Sequence, residues 1–139
     1  MEITVNFEFV NWWAVLAATV TAFLLAGVWY APSVFGRFGL PGNDPSNAHR
    51  DGDKNVQLIF VIAFLFHWLT AGLLSAVLGP NATITYGIVV GMLIGSFFVT
   101  TAQGISAIFD RRPVVRIFVN GGYHIVSLSM MGGIIGAFN

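Results

Sequence analysis

Four long apolar runs divide this chain, separated by short stretches where Pro, Gly, Asn, Asp and arginine collect. They cover about 11–30, 56–78, 86–109 and 114–138. Each is close to or beyond the roughly 20 residues that a helix needs to cross a hydrocarbon core. The expected fold is therefore all-α: one domain, 1–139, built as a polytopic bundle of four transmembrane helices. Trp12 and Trp13 open the first run, and Trp29 and Tyr30 close it. The two aromatic pairs stand about 26 Å apart on a helix, matching rings anchored at both membrane interfaces. Pro32 stops that helix, and 31–55 is the one long polar stretch. Its first part mixes Val34, Phe35, Phe38 and Leu40 with Arg37 and suits the interface, while PGNDPSNAHRDGDKN reads as loop.

Small and polar residues mark faces within the runs. Alanines 14, 18, 22 and 26 form a stripe on the first helix, and Gly87, Gly91 and Gly95 form a double GxxxG on the third. On a 100° wheel the fourth run carries Gly122, Ser129, Gly133 and Gly136 on one side. Lipid supplies no hydrophobic drive between helices, so close backbone approach must hold such a bundle together. Gly87, Gly91, Gly95, Gly133 and Gly136 are the expected packing positions. The alternative is that these Gly and Ala stripes join copies of the chain into a homo-oligomer, as a structural or interaction subunit would use them.

The other side of the fourth run carries Asn120, His124, Ser127 and Met131. On the third helix, Ser96, Thr100, Gln103 and Ala107 fall opposite the glycine stripe, and the second helix offers His67. Intramembrane polar groups face the bundle interior and pair, or line a cavity. His67, Thr100, Gln103, Asn120, His124 and Ser127 are thus a candidate polar layer between helices two, three and four. One reading is a pocket that binds or passes a small apolar or amphipathic ligand, with His67 or His124 as anchor or proton carrier. The plainer reading is a set of interhelical hydrogen bonds, each worth well under about 2 kcal/mol.

Composition narrows the class. The chain has 139 residues, of which 56% are hydrophobic and 9% charged, too few charges to clothe a water-soluble domain. Six basic and six acidic residues cancel, which leaves no basic field for nucleic acid. There is no cysteine for a disulfide, thiolate or zinc site. The N-terminal segment lacks a positive region and cleavage pattern, so the first run is expected to stay as a membrane helix rather than a signal. Arg37, Arg50 and Lys54 lie between helices one and two, and Arg111, Arg112 and Arg116 at the junction of three and four. Basic loops stay on the cytoplasmic side, so 31–55 and 110–116 should be cytoplasmic and both termini outside. Arg37, Arg111, Arg112 and Arg116 are also candidate contacts for anionic lipid head groups.

Away from the arginine-bearing start of the fourth run, no Asp, Glu, Lys or Arg lies inside an expected span. A proton- or cation-coupled exchanger ordinarily relies on such a group. No nucleophile stands with a base, and two histidines without a third ligand or a carboxylate are a weak metal signal, so no metal or cofactor is expected; an enzyme, the third reading, would require His67 and His124 to converge on one cavity. His49, in the loop with Asp44, Asp51 and Asp53, reads as solvated.

The pattern of Trp29, Tyr30, Ala31 and Pro32 followed by Phe35 and Gly36 resembles the domain of unknown function 1761 family. So do the run from Arg111 to Gly136, its Gly122–Tyr123–His124 triplet, and the glycine-bearing third helix. The likeness covers nearly the whole chain. It implies a small bacterial-type multi-helix protein of the plasma (inner) membrane, with one domain and four helices. It carries no established activity.

Overall fold

The computed structural model of the chain describes residues 5–31, 33–34 and 53–139. Arg37, Arg50, His49, Asp44, Asp51 and the motif residues Pro32, Phe35 and Gly36 lie outside the described residues, as do the side chains of Asp53 and Lys54.

The described residues fold into four long helices and no strand. Helix α1 is Trp12–Trp29, capped by the Asn11 side chain, which accepts from the amides of Trp13 and Ala14. Helix α2 is Asp53–Leu78 and ends at Gly79, whose φ of +78° is the left-handed turn that suits glycine. Helix α3 covers 84–109, with the Thr83 hydroxyl accepting from the amide of Tyr86. It is α-helical over Ile84–Ile94, widens into one π turn at Gly95–Val99, and is α-helical again over Thr100–Phe109. Helix α4 is Val114–Phe138, entered through Pro113. All four are long and apolar enough to cross a membrane.

Helix α4 is the hub. It packs against each of the other three, while α2 and α3 touch one another little. Its most apolar window is 44% buried against 11% for α3, so α3 leans on α4 and otherwise faces outward. The core joins Ala14, Val15, Ala18 and Ala22 of α1 to Ala71 and Leu74 of α2 and to Leu128, Met131 and Ile135 of α4. Large apolar side chains cover the outside, including Trp13, Phe98, Phe109 and Phe118, each at least 73% exposed. Water would penalise that surface, and hydrocarbon does not.

The α3–α4 contact explains the glycines. Gly87 lies against Gly132, Gly91 against Leu128, Gly95 against His124 and Ile125, and Gly136 against Thr83. A Cβ at Gly87 or Gly132 would fall on the partner's backbone carbonyl. Gly133 meets Ile88 instead, and Gly122 turns toward Trp29 of α1. The Gly87–Gly91–Gly95 stripe is therefore engaged inside the chain. Gly132 and Gly121 belong to the same contact and were not among the expected packing positions; Gly121 meets the Thr100 side chain.

The π turn changes the wheel. A regular helix would place Thr100 well away from Gly95, but the inserted residue brings it back onto the α4-facing side. The Thr100 hydroxyl donates to the Gly95 carbonyl at 2.7 Å and sits 3.4 Å from the Gly121 carbonyl. Thr100 thus seals the α3–α4 contact rather than joining a polar layer.

Candidate functional site

Thr100 lies in the α3–α4 contact, and the other five candidate polar residues belong to three places. The first is a hydrogen-bonded tie between α1, α2 and α4. His67 stands near the middle of α2, with its Nδ1 2.6 Å from the Ala63 carbonyl and its Nε2 2.5 Å from the Tyr123 hydroxyl. A carbonyl only accepts, so Nδ1 carries a proton. The Tyr123 hydroxyl also lies 2.9 Å from the Ala22 carbonyl of α1. With neutral His67, the one Tyr123 proton has two acceptors, Nε2 and the Ala22 oxygen. The rings of Phe23, Phe60 and Phe64 pack around this tie from α1 and α2. Tyr123 is only 3% exposed, and its small neighbour Gly122 leaves room for Trp29 of α1 beside it. It was not among the residues expected from the sequence. The signal was present: a buried Tyr in an apolar run requires a partner for its hydroxyl.

The second place is a groove between α2 and α3, open because those helices do not close on each other. Phe66, His67 and Thr70 form one wall and Val99 of the π turn the other, over a floor of His124, Ser127, Leu128 and Met131. Its volume is about 190 Å³. His67 has both ring nitrogens committed to the tie, and Thr70 donates back to the Phe66 carbonyl at 2.8 Å. His124 makes a ring contact with Tyr123 and no hydrogen bond among the described residues. It is the available polar group of the groove, beside a nearly buried Ser127 at 3% exposure.

The third place lies at the arginine end, between the last turns of α3 and the first turns of α4. A cavity of about 300 Å³ there is lined by Gln103 and Ser106 of α3, by Arg116 and Asn120 of α4, and by Arg112 of the turn. Asn120 is held from the side by Tyr30, whose hydroxyl donates to its Oδ1 at 2.8 Å. Burial pushes the Tyr30 hydroxyl up to about 12, with Tyr123 nearby adding to it, so it stays a donor. Trp29 next to it donates from Nε1 to the Val119 carbonyl at 3.0 Å. The aromatic pair expected as an interfacial anchor clamps α1 onto α4. Arg112 is 3.4 Å from Asp110, both about half exposed, and Arg111 occupies the turn itself with φ of +56°.

The geometry thus brings His67, His124 and Ser127 to one groove, and Gln103 and Asn120 to a separate cavity with Arg112 and Arg116. Among the described residues, no three His, Asp or Glu side chains gather in the manner of a metal site.

The model of the family described as protein of unknown function (DUF1761) matches residues 13–136, and the chain belongs to that family. No curated protein and no solved structure matches it.

Proposed function

We propose that this member of the family is a non-catalytic integral membrane protein that takes a small apolar or amphipathic molecule from the bilayer into the groove between α2 and α3. The observation that carries this reading is the 190 Å³ groove with an uncommitted imidazole, His124, on its floor. A cavity of about 150 Å³ accommodates benzene, so this one suits a single ring or a short alkyl chain. One polar atom on such a molecule would meet His124, while Leu128, Met131 and Val99 cover the apolar remainder. Access is lateral, through the gap that α2 and α3 leave.

In the same reading the arginine end faces the cytoplasm of a bacterial inner membrane and both termini lie outside. The distribution of all six cations supports this. Homo-oligomerisation has less to work with, because the stripe Gly87–Gly91–Gly95 already faces α4.

Photolabelling tests the groove. The full chain in lipid nanodiscs is treated with a small aryl-diazirine alcohol, and labelled positions are read by peptide mass spectrometry. Label should concentrate on 66–70 and 124–131, saturate with excess benzyl alcohol, and be lost in Val99→Trp, which fills the groove. Label spread evenly over the exposed apolar positions of α1 to α4 would overturn the reading. Orientation is tested separately, by a cysteine at Asn47: modification by an impermeant external reagent would reverse the assignment.

A further inference from the structure

The cavity at the arginine end has a chemistry of its own, independent of the groove. Arg116 is partly buried in the first turns of α4. Among the described residues its guanidinium has no hydrogen bond and no ion pair. A guanidinium offers five donors and no acceptor, so its complement is an anionic oxygen. Arg112 has Asp110 beside it, and that pair balances itself in charge. The surplus at the cavity is one positive charge, from Arg116. Across from it, the Gln103 Oε1 is buried with no hydrogen-bond partner. That atom only accepts, so an anionic oxygen cannot satisfy it; an O–H or N–H donor must.

Depth points the same way. Helix α3 spans 26 residues, about 39 Å, which exceeds a hydrocarbon core of about 30 Å by about 9 Å. Gln103 stands six residues before Phe109, again about 9 Å from the helix end. With that excess at the arginine end, Gln103 stands at the edge of the hydrocarbon core, and the cavity opens from there past Arg116 to Arg112 on the head-group side. At about 30 Å³ per water-sized group, its 300 Å³ has room for about ten such groups, enough for a phosphate and a three-carbon polyol.

We infer that Arg116 and Gln103 form a binding site for the head group of an anionic glycerophospholipid bearing a hydroxyl beyond its phosphodiester. The phosphodiester meets Arg116, with Arg112 at the outer rim, and the hydroxyl donates to Gln103 Oε1. Asn120, fixed by Tyr30, offers its amide N–H groups to the same phosphate.

Native mass spectrometry of the full chain in a neutral detergent tests this with four probes: phosphatidylglycerol, phosphatidylmethanol, phosphatidylcholine and free glycerol phosphate. Phosphatidylmethanol has the charge of phosphatidylglycerol without its hydroxyls. Phosphatidylglycerol should be retained about tenfold better than phosphatidylmethanol, the factor that one hydrogen bond supplies. Phosphatidylcholine should be retained least. Arg116→Gln should lower retention of both anionic lipids about tenfold, and Gln103→Met should bring phosphatidylglycerol down to the phosphatidylmethanol level. Equal retention of the two anionic lipids by the native chain would overturn the site, leaving water on Gln103 and a nonspecific charge. Competition by equimolar glycerol phosphate would assign the cavity to a soluble phosphate ester and overturn the lipid as its ligand. The lipid comparison uses the native sequence, so it decides the matter even where a variant fails to fold.

Discussion

Replacing Gly87 with Ala puts the α3–α4 contact to a direct test. A methyl there would land on the Gly132 carbonyl, with the Gly132 Cα at 3.3 Å, tighter than the 3.4 Å at which ordinary contact begins. Both obstacles are backbone, so no side chain can swing aside. The helices must separate by on the order of 1 Å, and a gap of that size forfeits up to about half of each dispersion contact. With roughly forty atom pairs across the crossing at about 0.1–0.2 kcal/mol each, the loss is about 2 kcal/mol. Alanine's better helix propensity returns at most about 1 kcal/mol, leaving a net destabilisation of about 1–2 kcal/mol. Gly27 is the control, because a Cβ there meets nothing within 4 Å. Gly27→Ala should leave stability unchanged or raise it by up to about 1 kcal/mol. The assay is reversible unfolding in mixed micelles, titrated with dodecyl sulfate and followed by far-ultraviolet circular dichroism. A Gly87→Ala protein as stable as the native one, or a Gly27→Ala protein equally damaged, would refute close backbone packing as the source of the bundle's stability.

Tyr123→Phe removes the hydroxyl between His67 and Ala22, leaving Nε2 without its partner; the expected loss is about 1–2 kcal/mol in the same unfolding assay. An unchanged midpoint would make the tie incidental. Arg111→Gly replaces a side chain held at φ of +56° with the residue that accepts this backbone freely, so stability should rise by about 1 kcal/mol. A fall instead would show that the Arg111 side chain holds the turn.

How much of this was legible in the sequence depends on the helix. The four spans were, because uninterrupted apolar runs end at Gly79–Pro80, at the Asp110–Pro113 turn and at the Trp29–Tyr30 pair. The hub position of α4 was not, since contacts between distant helices leave no periodic trace. On α4 the wheel correctly groups Asn120, His124 and Ser127, yet these face different neighbours. Asn120 meets Tyr30, and the other two line the groove. A stripe rising along one helix passes several partners, and a wheel has no axis for that. Tyr123, marked in the sequence only by the Gly122–Tyr123–His124 triplet, was absent from the expected polar layer because its ring reads as one more apolar residue, while its hydroxyl finds Ala22, about a hundred positions away in the chain. Gly132 escaped because Gly133 and Gly136 satisfied the same wheel, although the closest backbone approach is at Gly132.

The π turn accounts for the largest departure, and removing its extra residue tests whether helix phase alone places the site. Before it, Gly87, Gly91 and Gly95 recur every fourth residue against α4; after it, Thr100 and Gly104 resume that rhythm one residue late. Every residue beyond Val99 is consequently turned by about 100° from where a regular helix would hold it. That rotation is what aims Gln103 and Ser106 at Arg116 and Asn120, and Val99 itself becomes the groove's wall. Deleting Phe97, which is 68% exposed and so contributes little to the core, should restore a regular α3. The glycine contact of 87–95 lies before the deletion and should persist, and Thr100, then four residues after Gly95, should stay against Gly121, so the bundle should fold with its stability changed by less than about 1 kcal/mol. Gln103 would keep its place in the cavity, and the preference for phosphatidylglycerol over phosphatidylmethanol should survive. Were that preference lost in a folded deletion protein, the extra residue would do more than set the phase of α3, and the rotation argument for Gln103 would fail.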